Sequence, residues 1–111
     1  MIEKRSAVEN LEDILSVEGI DMVQFGPSDY SMSIGIPGEI NHPKVKEAEL
    51  KTIKTALKMD VAPRAEISTP EEAKKYIDLG VRNFNLNIDL SILYKWWKKN
   101  GTEMRKILSR L

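Results

Sequence analysis

Four acidic residues stand where a short apolar run gives way to a helical pattern: Glu3, Asp29, Glu66 and Asp89. Mg²⁺ and Mn²⁺ prefer oxygen ligands, and two carboxylates suffice when water and substrate oxygens complete the coordination. Glu3 and Asp29 meet that requirement if both face one opening. Helix capping and solvation are sufficient explanations for Glu66 and Asp89, because any α/β domain carries acidic residues near its strand ends.

Asp29 belongs to a distinct motif, FGPSDYSMSIG, in which a run of bulky residues stops at a glycine and a proline. The residues Gly26-Pro27-Ser28-Asp29 read as a turn that leads into a helix. Backbone N–H groups in such a turn can hold a carboxylate or a phosphate. An ordinary capping turn explains the same residues, so the motif alone leaves both interpretations open.

Hydrophobic periodicity predicts the elements that position these residues, beginning with a helix and a strand. Ser6 and Glu9 have the spacing of a capping box, so we expect the first helix to start at Ser6 and to end at Gly19. The bulky run at residues 22–25 predicts a buried strand that ends directly before the turn.

A second helix is predicted to begin at Pro43, which suits the first helical position, with Asn41 or His42 as the cap. Capping is therefore the role we expect for the one histidine of the sequence. The next strand spans residues 61–67, and its Pro63 suits an edge or strand-opening position. The apolar stripe of this helix consists of Val45, Ala48, Ile53, Ala56 and Leu57.

The third helix carries signals at both ends, since Thr69 and Glu72 form a capping box and Gly80 provides a stop. Period-two alternation then predicts a strand over residues 83–88.

The last helical pattern covers residues 91–99, pauses at Asn100-Gly101 and restarts at the next residue. Trp96 and Trp97 are adjacent, so a helix cannot bury both on one face. One of them packs either against a partner or along the protein's own surface.

Strand and helix thus alternate four times with short links, which predicts an α/β fold of parallel strands covered by helices. The 111 residues suit a single domain with a modest core. Working residues in such sheets lie at the carboxyl ends of the strands, which is where Asp29 stands.

Composition narrows the range of partners. Basic and acidic residues number 17 each, so the net charge is zero and we expect neither nucleic acid nor a membrane as a partner. Cysteine is absent, which excludes disulfides, zinc–thiolate sites and a cysteine nucleophile. The sequence shows neither a signal peptide nor an apolar run approaching the roughly 20 residues that span a bilayer. The cytoplasm is the compartment we expect.

An ordered set of motifs covers nearly the whole sequence. The stretch MIEKRSAVENLEDILSVEGIDMVQFGPSDYSMSIG, followed by GEINHPKVKEAE, resembles the C-terminal half of the HpcH/HpaI aldolase family, which groups with the citrate lyase β-subunit. The family's strand ending in a glutamate, its G-P-x-D-L-S turn, its H-P-x-V segment and its A-P strand have counterparts at matching spacings. A closing strand leads into a D-x-x-x-L segment, here Asp89 to Leu93.

This resemblance implies the last four βα units of a TIM (β/α)8 barrel, a half-barrel formed by residues 1–111. It also implies a class II aldolase or lyase that reversibly cleaves 4-hydroxy-2-oxo acids to pyruvate and an aldehyde. The family's two metal ligands fall on Glu3 and Asp29, for Mg²⁺ or Mn²⁺ with Co²⁺ as a further possibility. The backbone amides of Ser28 and Asp29 would hold the carboxylate of pyruvate.

Departures from the family pattern limit what is carried over. The family's general-base histidine and its arginine belong to the N-terminal half, so no catalytic residue is expected in this one, and His42 stands in the wrong segment to replace the base. Met1 occupies a position that is usually glutamine, and Arg64 and Asn85 stand where small or apolar residues are usual.

Two alternatives to an active aldolase therefore stay open. One is a non-catalytic segment that completes a barrel with another chain, and the other is a citrate-lyase-like segment acting on CoA esters. Because a half-barrel has two open sheet edges, we expect a homo-oligomer or a complementary N-terminal half as the partner.

Overall fold

The computed structural model describes residues 1–111 and contains six α-helices and three β-strands. A turn of 3-10 helix, Pro70–Glu72, precedes the fifth helix. The helices are α1 Arg5–Glu9, α2 Leu11–Leu15, α3 Pro27–Ser33, α4 Pro43–Lys58, α5 Ala73–Leu79 and α6 Asp89–Leu108, and the strands are β1 Met22–Gln24, β2 Ala62–Ile67 and β3 Asn83–Leu86.

The strands form a parallel sheet in the order β1-β2-β3. Gln24 of β1 is level with Arg64 of β2, which is level with Asn83 of β3. Ile2 adds a fourth strand position beside β1, because it forms a parallel bridge with Phe25 and its N–H donates to the Gln24 carbonyl at 2.8 Å. The predicted α/β fold of parallel strands followed by helices is confirmed.

The helices cover one face of the sheet and bury the core there. Alternation along β2 turns Ala65 and Ile67 toward the helices and leaves Arg64 and Glu66 exposed on the other face. A larger cluster joins β1 to the first four helices, and a smaller one joins β2 to α5. The larger consists of Ile2, Val8, Leu11, Leu15, Val23, Phe25, Tyr30, Val45, Ala48, Ala56 and Val61, and the smaller of Ile53, Ala65, Ile67, Tyr76 and Val81.

The start of the first helix differs from the prediction. Helix α1 begins at Arg5 with Lys4 at the cap position, so the capping box at Ser6 is wrong. The Ser33 hydroxyl of α3 accepts a hydrogen bond from the Arg5 N–H at 3.1 Å, so a residue distant in sequence satisfies the helix start. Asn10 then separates α1 from α2, and its side-chain amide donates to the Ser6 carbonyl.

Helix α4 has the cap that the sequence indicated. His42 is the N-cap, and its Nδ1 accepts from the Lys44 N–H at 3.2 Å. Of the two positions predicted for Pro63, the edge is excluded because β2 is the central strand, and the strand opening is confirmed. As the second residue of β2, Pro63 still lies at the strand opening, where a missing N–H is tolerated.

Two predicted stops behave differently. Gly80 ends α5 with a φ of 106°, as expected, whereas Gly19 lies beyond Leu15, the last residue of α2. At the start of the third helical segment Thr69 is in the cap position without a cap bond, and the Glu72 carboxylate accepts from the Ser68 N–H at 3.0 Å.

Helix α6 is continuous, so the predicted pause at Asn100-Gly101 is wrong. The Asn100 amide donates to the Trp96 carbonyl, and the Thr102 hydroxyl donates to the Lys98 carbonyl, so both side chains satisfy groups of the same helix. A glycine inside a helix costs only about 1 kcal/mol relative to alanine. No residue of α6 is buried, and the longest dimension of the molecule is 64 Å. No helix is both long and apolar enough to cross a membrane.

Candidate metal and carboxylate site

Glu3 lies directly over Gly26 at the carboxyl end of β1. The two segments are joined by the Gly26 N–H, which donates to the Ile2 carbonyl at 2.9 Å. A Cβ atom at position 26 would lie 2.7 Å from Cγ and 3.0 Å from Oε1 of Glu3. Only glycine therefore leaves room for the Glu3 side chain in this position.

Asp29 lies in the first turn of α3, which the same glycine begins. Gly26 is the extended N-cap of this helix, Pro27 is its first residue, and the Tyr30 N–H closes the first turn on the Gly26 carbonyl at 3.0 Å. The N–H groups of Ser28 and Asp29 come before that bond and have no acceptor within the protein. They are free donors of the kind found at every helix start.

The two predicted metal ligands are related to the same glycine in different ways: Glu3 lies over Gly26, and Asp29 lies in the first turn of the helix that Gly26 precedes. Glu3 is half-buried and Asp29 is exposed, and neither carboxylate forms an ion pair or accepts a side-chain hydrogen bond. No group of three or more His, Asp or Glu side chains is arranged to hold a metal ion. Two carboxylates suffice for Mg²⁺ or Mn²⁺ when water and ligand oxygens take the other positions, so a metal site on Glu3 and Asp29 stays a prediction.

Serines in the same motif hold the turn in place, a role that the sequence reasoning missed. Ser31 is fully buried; its hydroxyl donates to the Ser28 carbonyl at 2.6 Å and accepts from the Gly38 N–H at 3.1 Å. These bonds tie the segment after α3 back to the turn. The sequence signal for this role was Ser31 itself, a polar residue on the inner, otherwise apolar face of a predicted helix.

Glu66 and Asp89 have different surroundings. Continuing the register of β1 and β2 places Glu66 level with Gly26, on the sheet face that carries Glu3. Asp89 begins α6, and its Oδ1 accepts from the Leu90 N–H at 2.7 Å, which fits the capping explanation. Asp89 therefore stays outside the candidate site.

A chain of polar side chains on the same face was also missed. The Arg64 Nε donates to the Gln24 Oε1 at 2.5 Å, and the Gln24 Nε2 donates to the Glu66 Oε2 at 3.2 Å. Arg64 and Glu66 are two residues apart in a strand, so their side chains share a face. That spacing was visible in the sequence, but the bridging glutamine on the neighbouring strand was not.

The largest cavity lies away from these groups. It has a volume of about 530 Å³ and opens between α1, α3 and α4, on the helical side of the sheet. A smaller cavity of about 450 Å³ borders the strand ends, where Pro27, Glu66 and Ser68 contribute to its wall. The candidate site is therefore an open edge and not an enclosed pocket.

Parallel strands followed by helices define an α/β protein, and in this class ligands usually bind at the carboxyl ends of the strands, where the free carboxylates and amides lie. The family model described as HpcH/HpaI aldolase/citrate lyase matches residues 1–94. The chain belongs to this family, whose fold is a TIM barrel.

Curated relatives agree with that assignment. The chain is 37% identical over 92 residues to a 4-hydroxy-2-oxo-heptane-1,7-dioate aldolase from Escherichia coli (strain ATCC 8739), a match that covers 83% of this chain and 35% of the relative. The protein of the same description from Klebsiella pneumoniae is 35% identical over the same length. The chain spans about a third of the length of these curated relatives.

Solved structures show the same fold. An HpcH/HpaI aldolase from Desulfitobacterium hafniense DCB-2 superposes with a TM-score of 0.84 at 29% identity, over 93% of this chain and 40% of that one. The citrate synthase SbnG superposes with a TM-score of 0.92 at 26% identity, over 98% of this chain and 44% of that one.

Proposed function

We propose that this chain supplies the metal-binding edge of a metal-dependent aldolase that cleaves 4-hydroxy-2-oxo acids to pyruvate and an aldehyde. The observation that carries the proposal is that two free carboxylates, Glu3 over Gly26 and Asp29 in the following helical turn, lie at the end of β1 with two free amides. The family and the curated relatives support the reaction class.

In this proposal Glu3 and Asp29 hold Mg²⁺ or Mn²⁺, with Co²⁺ as a substitute. When bound, the ion supplies a Lewis acid for the ketone oxygen of a 2-oxo acid. Gly26 leaves room for the Glu3 side chain at the end of β1, because a Cβ atom there would lie 2.7 Å from the Glu3 Cγ. The N–H groups of Ser28 and Asp29 orient the substrate by donating hydrogen bonds to its carboxylate.

None of the 111 residues is assigned the role of general base. His42 is the N-cap of α4, where its Nδ1 accepts from the Lys44 N–H, and this capping role is the one that the structure gives it. Proton transfer by a positioned side chain is worth about 10²–10⁴-fold in rate. We therefore expect the 111 residues alone to bind substrate and metal weakly and to turn over poorly.

The partner in this proposal is a second copy of the chain or a complementary N-terminal half. Residues 1–111 then act as the last four βα units of a (β/α)8 barrel. The Ile2 position and the three strands, each followed by helix, support this arrangement.

Lysis of a CoA ester in the manner of citrate lyase is the second candidate function. Its support is the family description and the close superposition on a citrate synthase. A purely structural role, completing a barrel without catalysis, is the third. The capping role of His42, the one histidine of the sequence, favours it over independent activity.

Exchange of the pyruvate methyl protons in D₂O, followed by NMR with Mg²⁺ or Mn²⁺, tests the proposed function. We expect exchange above the metal blank, and we expect Asp29→Ala to abolish it. Asp21→Ala is the matched control, because Asp21 is an exposed aspartate before the amino end of β1. Exchange equal to the blank, with Mn²⁺ binding also unchanged by Asp29→Ala, would contradict the metal site itself.

A further inference from the structure

The sheet face that carries Glu3 is polar in the adjoining positions. Barrel interiors are usually filled by bulky apolar side chains. Here Gln24, Arg64 and Glu66 occupy that face, and Asn83 and Asn85 stand level with the last two on β3. A polar lining of this kind suits a polar ligand better than a packed core.

The hydrogen bonds hold Arg64 in a defined position. Gln24 is 6% exposed, and it uses its carbonyl oxygen for Arg64 and its amide nitrogen for Glu66. Only the Nε of Arg64 is engaged, so both terminal nitrogens of the guanidinium lack an acceptor. Arg64 and Glu66 form no ion pair, because the glutamine lies between them.

Arg64 is remote from the candidate metal ligands but lies on the same surface. Gln24 precedes Gly26 by two residues, so Arg64 is one layer below the level of Glu3 and Glu66. Strand spacing and rise put the Cα atoms of Glu3 and Arg64 roughly 12 Å apart. A ligand that reaches both must extend several carbons beyond a 2-oxo acid group.

We propose that Arg64 is a specificity-determining residue that binds a second carboxylate, at the far end of the substrate, and that Gln24 is its positioning residue. This rests on the proposed function, because the first carboxylate is the one assigned to the Ser28 and Asp29 amides. Two parallel N–H donors of a guanidinium match the two oxygens of a carboxylate. The favoured substrates are thus dicarboxylic 2-oxo acids.

A carboxylate fits this position better than a phosphate does. Arg64 is the only cationic residue of β1, β2 and β3, so the sheet offers a single positive charge. Glu66 lies two residues away on the same face and repels a dianion more strongly than a monoanion. A singly charged carboxylate needs only the donors that Arg64 has free.

Binding of two ligands of equal chain length, 2-oxoadipate and 2-oxohexanoate, tests this proposal by calorimetry in the presence of Mg²⁺. We expect the wild-type chain to prefer the dicarboxylate roughly 10- to 100-fold, the range for a hydrogen-bonded charge. Arg64→Gln should remove the preference and leave 2-oxohexanoate binding unchanged. Arg105→Gln, an exposed arginine of α6, is the matched control and should keep the preference.

The positioning role of Gln24 is tested by the ratio of the affinities for 2-oxoadipate and 2-oxohexanoate. Gln24→Met removes both hydrogen bonds at similar volume, and it should reduce the preference while 2-oxohexanoate binds as before. A purely structural change would weaken both ligands together. Circular dichroism checks that each variant keeps its fold.

The proposal would be overturned if the wild-type chain bound 2-oxoadipate no more tightly than 2-oxohexanoate, or if Arg64→Gln kept the preference for 2-oxoadipate. It would also be overturned if inorganic phosphate displaced 2-oxoadipate from the wild type but not from Arg64→Gln. Asp29→Ala separates this proposal from the proposed function. If 2-oxohexanoate still binds to Asp29→Ala in an Mg²⁺-dependent way, the metal site is wrong, whatever Arg64 does.

Discussion

Gly26 is the residue on which the position of the Glu3 side chain depends. Its φ of −105° is accessible to any residue, so backbone strain does not explain the glycine. The reason is steric, because a Cβ atom there would lie 2.7 Å from the Glu3 side chain. Glycine at the end of β1 thus permits a carboxylate to lie across the strand end.

Gly26→Ala should therefore impair metal binding by displacing Glu3 while the fold is kept. Overpacking of this kind typically costs about 1–3 kcal/mol of unfolding free energy. We expect Gly26→Ala and Glu3→Gln each to lower the affinity for Mn²⁺, measured by electron paramagnetic resonance. Gly101→Ala is the control, since nothing lies near that position, and it should stabilise α6 by about 0.5–1 kcal/mol. Wild-type Mn²⁺ affinity in Gly26→Ala would contradict the role of Glu3.

At the scale of elements, a buried tyrosine joins α5 to α4. Tyr76 is 5% exposed, and its hydroxyl donates to Glu49 Oε1 at 2.7 Å. Burial, and then the bond to Glu49, raise the pKa of Tyr76 above its ordinary value of 10.0. The protonated form is therefore favoured by folding.

This pKa shift predicts a loss of stability in alkali. Above about pH 10 the tyrosine of the unfolded chain ionises while Tyr76 of the folded chain keeps its proton, so the unfolding free energy falls by up to about 1.4 kcal/mol per pH unit. Below pH 10 its contribution is fully present. Urea titrations from pH 8 to 11 should show a shallower decline for Tyr76→Phe than for the wild type. An equal change in Tyr94→Phe, which removes an exposed tyrosine, would refute this assignment.

Much of the element pattern could be predicted from the sequence, and local interactions explain where this succeeded. The His42 cap and the Gly80 stop depend on neighbours within a few residues, so sequence spacing reveals them. The cap predicted at Ser6 was wrong because the Arg5 N–H at the start of α1 donates to the Ser33 hydroxyl, which is 28 residues away in sequence.

The candidate site was only partly predictable for the same reason. Asp29 and its turn are contiguous in sequence, and a family resemblance adds Glu3. The bridge from Arg64 through Gln24 to Glu66 joins residues 40 and 42 positions apart on different strands. Only the register of β1 and β2 brings them together, and composition carries no trace of that register.

At the scale of the whole molecule, α6 differs from the other α-helices because none of its residues is buried. An apolar stripe with helical spacing follows one side of it, and every member is more than half exposed. Soluble chains rarely leave so long an apolar surface uncovered. The stripe consists of Leu90, Leu93, Tyr94, Trp97, Met104 and Leu108.

We expect this stripe to pair with the same stripe of a second copy, so that the chain is a homo-oligomer. Trp97 lies on the stripe, whereas Trp96 lies about 100° away around the helix. The centroids of the two rings are 4.6 Å apart, in an edge-to-face arrangement. Trp97→Glu should shift sedimentation toward the monomer, because it places a charge in the apolar contact. Trp96→Glu removes the same ring contact and should keep the oligomer. If the wild-type chain sediments as a monomer at all concentrations, pairing of copies is wrong and a complementary N-terminal half becomes the expected partner of α6.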